Sequence, residues 1–109
     1  MRLRLASQNK IEMAYTVIWS VEAETTYANL LNFLEERWSD RQINRFIERS
    51  EEVIRFIGNN PLMYPCSKTR EIHRAVISKQ TSLYYYITGE VVVLLSFEDN
   101  RQNPKRSKY

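Results

Sequence analysis

The residues able to do chemistry are few and sit mostly in the second half of the chain. There is one histidine, His73, one cysteine, Cys66, and a basic series of Lys68, Arg70, Arg74, Lys79, Arg101, Lys105, Arg106 and Lys108. One His and one Cys, without a Cys-x-x-Cys or His-Glu-x-x-His spacing, make no zinc-type ligand set, so no metal is expected. Gly58 and Gly89 are the only glycines, so no Gly-rich loop is present to cradle phosphates, and no cofactor is expected. A nucleophilic Cys66 would need a base and an electropositive setting. Lys68 and Arg70 are close in sequence, but no oxyanion-type motif accompanies them. His73 alternates with Ala75 and Ile77 on one strand face, which suits a half-buried structural His better than an acid–base group. The arginines are the better candidates, because a guanidinium binds phosphate or carboxylate through two parallel hydrogen bonds. Tyr84 and Tyr86, two apart, share a face and could stack on bases. The plainer alternative packs these tyrosines under helices and leaves the arginines solvated or paired with Glu71 and Glu98.

Three short apolar runs must position these groups. Ile72 to Ser78 alternates, with His73, Ala75 and Ile77 opposite Ile72, Arg74 and Val76. Ser82 to Thr88 is aromatic and β-branched, with Leu83, Tyr85 and Ile87 opposite Tyr84 and Tyr86, and Val91 to Phe97 is nearly continuously apolar. Runs of this length and type fit strands. Lys79-Gln80 and Gly89-Glu90 fill the gaps, and Gly in the first turn position suits a type II′ hairpin. The reading is a three-stranded antiparallel meander. Its first and third strands flank the second, so Arg74 and the residues leading to Arg101 could converge on one sheet face or edge.

Upstream, Ala14 to Ser20 alternates as a strand, and Ser20 can cap a helix whose first turn holds Glu22 and Glu24. Tyr27, Leu30, Leu31, Leu34 and Trp38 form a stripe of helical period. Ser39 with Gln42 matches a capping box for a second helix, striped by Ile43, Phe46, Ile47, Ile54 and Ile57 and stopped by Gly58-Asn59-Asn60-Pro61. So short a connection makes the helices an antiparallel hairpin. Residues 61–69 read as a loop, and residues 1–13, which show no clean period, as a loose leader to a single domain over 14–109. The expected fold is α+β, β-α-α-β-β-β, with the helical hairpin packed on the meander sheet.

Bulk properties agree with one compact domain: 109 residues, 43% hydrophobic, with only 2 Gly and 3 Pro. A lone cysteine, no bilayer-length apolar run and no signal-type start make the cytoplasm the expected compartment, without membrane association. The net charge of +3 is unevenly spread. Residues 20–57 carry five Arg and eight acids, whereas 101–109 carry four cations and no acid. Such asymmetry points to a polyanionic or acidic partner, against the plainer reading of a solvated surface with a frayed basic tail.

With these residues in place, the chain resembles the RelE/ParE superfamily of toxins from bacterial type II toxin–antitoxin modules. The resemblance rests on the hairpin ending in GNNPLMYP, the strand pair RAVISKQTSLYYYI with its initial Arg, and the finish LLSFEDNRQNPKR. The Asp-x-Arg-Gln-x-Pro finish is the most specific piece, as in many small toxins labelled plasmid-stabilisation proteins, and the likeness spans about residues 14–106. It implies a growth-inhibiting toxin neutralised by a cognate antitoxin. RelE-like members cleave mRNA in the ribosomal A site; ParE-like members inhibit DNA gyrase and lack the catalytic set. By motif position Arg74 matches the arginine of the first meander strand and Arg101 the arginine after the last. Lys68 and Arg70 lie only approximately where the RNases hold a lysine-rich segment.

The departures from the RNase pattern set the expectation. Pro104, Lys105, Arg106 and Ser107 fill the region where RelE-like enzymes place a tyrosine, Tyr109 is terminal, and the lysine pair is missing. RNA cleavage needs one group to deprotonate the 2′-OH and another to protonate the leaving oxygen; here only His73, Lys68 and Tyr109 offer themselves. The expectation is therefore a ParE-like protein rather than an enzyme, with Arg70, Arg74, Arg101, Lys105 and Arg106 as the basic surface for target or antitoxin. The alternative is a ribosome-dependent mRNA endoribonuclease using Arg74, Arg101, His73 and Lys68. Arg101→Ala is expected to blunt toxicity and leave the domain folded.

Overall fold

The computed structural model describes residues 4–5 and 14–102. Strand β2 (Thr16–Trp19) leads into helix α1 (Val21–Glu35), then α2 (Asp40–Asn59), a single 3₁₀ turn η1 (Pro61–Met63), and strands β3 (His73–Val76), β4 (Thr81–Thr88) and β5 (Val91–Asp99). Before these, Arg4–Leu5 form a two-residue strand β1 paired antiparallel with β2. A strand there was not legible in residues without a period. It exists because β2 offers a free edge, and the rest of the leader lies outside the described residues. The sheet order is β1-β2-β5-β4-β3. β3, β4 and β5 are the antiparallel meander, and β2 lies parallel to β5.

The two caps form as their residue types require. Ser20 Oγ accepts from Ala23 N at 2.9 Å, and Ser39 and Gln42 make the reciprocal capping box. The second helix ends within the expected Gly58-Asn59-Asn60-Pro61 stop: it runs through the buried Gly58 to Asn59, and Pro61 begins the next turn. The Gly58 carbonyl instead receives Tyr15 N at 3.0 Å, which ties the entry of β2 to the end of α2. Between β4 and β5, Gly89 has φ +61 and Glu90 does not have positive φ, as a type II′ hairpin requires.

Both helices cover one face of the sheet. Leu30 and Leu34 of α1, Val53 and Ile57 of α2, and Ala75, Leu83, Tyr85, Val92 and Leu94 of the strands are all fully buried there. Trp19, Tyr27, Phe46 and Phe97 form an aromatic cluster at one end, with Tyr27 and Phe97 centroids 4.6 Å apart.

One irregularity decides which side chains face the other way. Tyr85 pairs with Leu94, but Tyr84 pairs with Ser96, so Leu95 is an extra residue in β5. Leu94 and Phe97, three apart, therefore both face the helices, while Ser96 and Glu98 turn to the uncovered face. Without the bulge Ser96 would oppose Leu83 and enter the core. The bulge is held from α1: Ser20 Oγ donates to Leu95 O at 3.1 Å, and Thr26 Oγ1 accepts Phe97 N at 2.9 Å where the pairing with β2 has ended.

Candidate functional site

The uncovered face of the meander carries a short polar ladder. Arg74 of β3 pairs with Tyr84 of β4, which pairs with Ser96 of β5; one step on, Ser82 pairs with Glu98. Arg74 is exposed, and its Nε donates to Ser82 Oγ at 2.9 Å. That bond fixes the plane of the guanidinium and leaves its two terminal nitrogens pointing away from the Nε side. Its backbone N–H donates to Pro65 O at 3.0 Å, so the 65–72 segment is docked against this strand. A cleft of about 350 Å³ opens here, lined by Arg74, Lys79, Tyr84, Ser96, Glu98 and Glu22 among others. It holds two cations, Arg74 and Lys79, and three carboxylates, Glu22, Glu98 and Asp99, the last paired with Arg101. Tyr84 is buried in the cleft floor and Tyr86 is 37% exposed, so the two do not form an even stacking platform.

Arg101 lies elsewhere. Its Nε donates to Asp99 Oδ1 at 2.9 Å, its Nη2 to Asp99 Oδ2 at 2.7 Å, and its backbone N–H to Oδ1 at 2.9 Å. Thr81 Oγ1 donates a short hydrogen bond to the same carboxylate. Thr81 and Asp99 share the face of Leu83 and Phe97, and the guanidinium sits 5.0 Å from the Trp38 ring centroid at the turn between the helices. Burial alone would raise the Asp99 pKa. The Arg101 and Thr81 hydrogen bonds, the Arg101 N–H and the Arg101 charge outweigh it and hold the carboxyl below its ordinary value. Hydrogen bonding to Asp99 correspondingly raises Arg101, against its own burial. The expected convergence of Arg74 and Arg101 therefore does not occur, because they serve opposite faces of the sheet.

His73 is also on the helix side. Its Nδ1 lies 2.8 Å from Tyr64 O, and since a carbonyl only accepts, Nδ1 carries the proton. Its ring stacks on Tyr85 at 4.9 Å and 11°, and Tyr85 donates to Pro61 O at 2.6 Å. Burial, then Tyr64 and Cys66, pushes the Tyr85 phenol far above its ordinary value. This is a satisfied structural histidine.

Lys68 and Arg70 are exposed in the 65–72 segment, where Arg70 N donates to Ser67 Oγ at 3.2 Å. Cys66 is exposed and its thiol donates to Ser67 O at 3.3 Å. Lys105 and Arg106, with Lys108 and Tyr109, lie outside the described residues. Among the described residues no group of three His, Cys, Asp or Glu could hold a metal ion, and no helix is long and apolar enough to cross a membrane. Ser82 and Ser96 were not candidates in the sequence, and Glu98 figured only as a partner for an arginine. Neither hydroxyl has a local signal, and the face of Ser96 and Glu98 follows from the bulge.

No protein-family model matches this chain, and no curated protein matches it. A chain from a solved structure described as the chromosomal ParDE TA system from P. aeruginosa aligns with a TM-score of 0.67 at 8% identity, covering 79% of this chain and 96% of that one. A structure described as a copper-bound mutant toxin from Helicobacter pylori aligns with a TM-score of 0.46 at 14% identity, covering 80% of this chain and 96% of that one. The first likeness is one of fold: this chain shares the α+β fold of that ParDE-system chain, with two helices on one sheet face.

Proposed function

We propose that this chain is the toxin of a bacterial type II toxin–antitoxin module, a cytoplasmic ParE-like growth inhibitor that acts on DNA gyrase and is neutralised by a cognate antitoxin. The observation that carries the reading is the helical hairpin packed on one sheet face while the opposite face presents Arg74 in an open cleft. A mechanism without RNA cleavage is supported by His73, whose Nδ1 proton is committed to Tyr64 O on the far side of the sheet from Arg74. On this reading Arg70 and Arg74 belong to the surface that meets target or antitoxin, joined by Lys105 and Arg106, while Arg101 acts by holding the end of β5. The rival reading, a RelE-like mRNA endoribonuclease, draws on Lys79 and Glu98, proton-exchanging groups that share the cleft with Arg74.

The test is a pulse of expression in a bacterial host with mRNA 5′ ends mapped within minutes of growth arrest. Arrest with intact messages, followed by inhibition of supercoiling by purified gyrase, is the expected result. New ends inside translated codons overturn the gyrase reading in favour of the nuclease, and unimpeded growth removes the toxin reading altogether.

A further inference from the structure

The cleft on the uncovered face holds three groups whose hydrogen-bonding capacity is not used up. Arg74 spends Nε on Ser82 and keeps two terminal nitrogens side by side, the arrangement that grips a planar oxyanion end-on. Ser96, 1% exposed, lines the same cleft with an Oγ that has no hydrogen-bond partner among the described residues. Buried hydroxyls are normally hydrogen-bonded, so this one points to an absent acceptor. The Glu98 carboxylate, opposite Ser82, makes no ion pair or side-chain hydrogen bond among the described residues. The charge balance then selects the ligand. Arg74 and Lys79 face Glu22, Glu98 and Asp99, the last already paired with Arg101, so the cleft suits one negative group at Arg74 and repels a run of phosphates.

We propose that this cleft is a docking subsite for a single side-chain carboxylate of a partner protein, gripped by Arg74 and bonded by Ser96. Glu98 accepts a backbone N–H of the same peptide. This deepens the reading above, on which the partner is the antitoxin, but the binding itself does not depend on toxicity.

The experiment is an amide and arginine-side-chain NMR titration of the purified full chain with an N-acetylated, C-amidated peptide carrying two Asp residues. Its Asn counterpart, sodium acetate and a single-stranded oligonucleotide serve as comparisons. The Asp peptide and, more weakly, acetate are expected to shift the Arg74 Nε–H and the amides of Ser82 and Ser96, and the Asn peptide is not. Arg74→Gln should weaken the Asp peptide by about tenfold or more. Ser96→Ala, a milder change that keeps the fold, should weaken it by several-fold. Equal binding of the Asn peptide, no shift at these residues, or binding unchanged in both variants overturns the proposal. So does an oligonucleotide that saturates the same signals at lower concentration than the peptide, which makes the cleft a nucleic-acid site. Growth arrest is scored separately, so a failed toxin reading and a failed subsite remain distinguishable.

Discussion

Arg101 grips Asp99 at both carboxylate oxygens, at 2.9 and 2.7 Å, and the Asp99 side chain is fully buried while that of Arg101 is 27% exposed. Two residues apart in sequence, they close the end of β5 against α1 and the turn between the helices, where Gln102 Nε2 reaches Asn29 O at 3.4 Å. The arginine that the motif singles out is thus a fastening for a buried charge.

Removing it should therefore cost stability, contrary to the sequence expectation that the domain stays intact. Arg101→Ala leaves the Asp99 carboxylate buried with only Thr81 and a backbone N–H, a change of roughly 2–4 kcal/mol. Urea titration should show a clearly lowered midpoint, and Arg101→Lys should recover part of it. Loss of growth arrest in Arg101→Ala has to be read against the remaining folded fraction. An unchanged midpoint would show that the pair carries no stability.

The same pair sets an acid limb. Because the folded Asp99 pKa lies below its unfolded value, the carboxylate stabilises the fold at all pH values above the unfolded pKa of about 3.9. That contribution falls away as pH drops below about 4 and is lost on passing the folded pKa. The stability difference between wild type and Asp99→Asn should be constant from neutral pH to about pH 5 and shrink below it. A difference that grows on acidification contradicts this sign.

His73 should matter for folding and not for arrest. His73→Ala removes the bond to Tyr64 O and the stack on Tyr85, leaving a gap beside the buried phenol, at a cost of roughly 1–3 kcal/mol. At matched amounts of folded protein, growth arrest should be unchanged. Arrest abolished in a variant with a native-like melting curve would restore His73 as a catalytic candidate.

The two helix caps should differ in weight. Ser39→Ala loses the Ser39 side-chain half of an exposed capping box, the bond from Gln42 N, about 0.5–1 kcal/mol. Ser20→Ala loses both the cap and the bond to Leu95 O that secures the bulge, and should cost about 1–2 kcal/mol. Chemical denaturation of both variants provides the comparison, and equal midpoints would show that the Leu95 bond is dispensable.

What the sequence determined by itself is the local half of this protein. The stripes through Leu30, Leu34, Ile43 and Ile57, the caps at Ser20 and Ser39, the alternation at His73, Ala75 and Ile77, and the glycine turn at Gly89 all depend on neighbours within a few residues. Their physics could therefore be read along the chain. The α+β order and the structural role of His73 follow from that. The tertiary structure decided the rest. Leu94 and Leu95 are both apolar, so nothing local shows that one residue is skipped and that the alternation changes phase there. Yet that skip, stabilised from α1 by Ser20, is what turns Ser96 and Glu98 to the face of Arg74. The parallel pairing of β2 with β5 and the fate of Arg101 likewise depend on partners far along the chain. Facing is a property of register between strands, and register is settled only when the helices choose which side to bury.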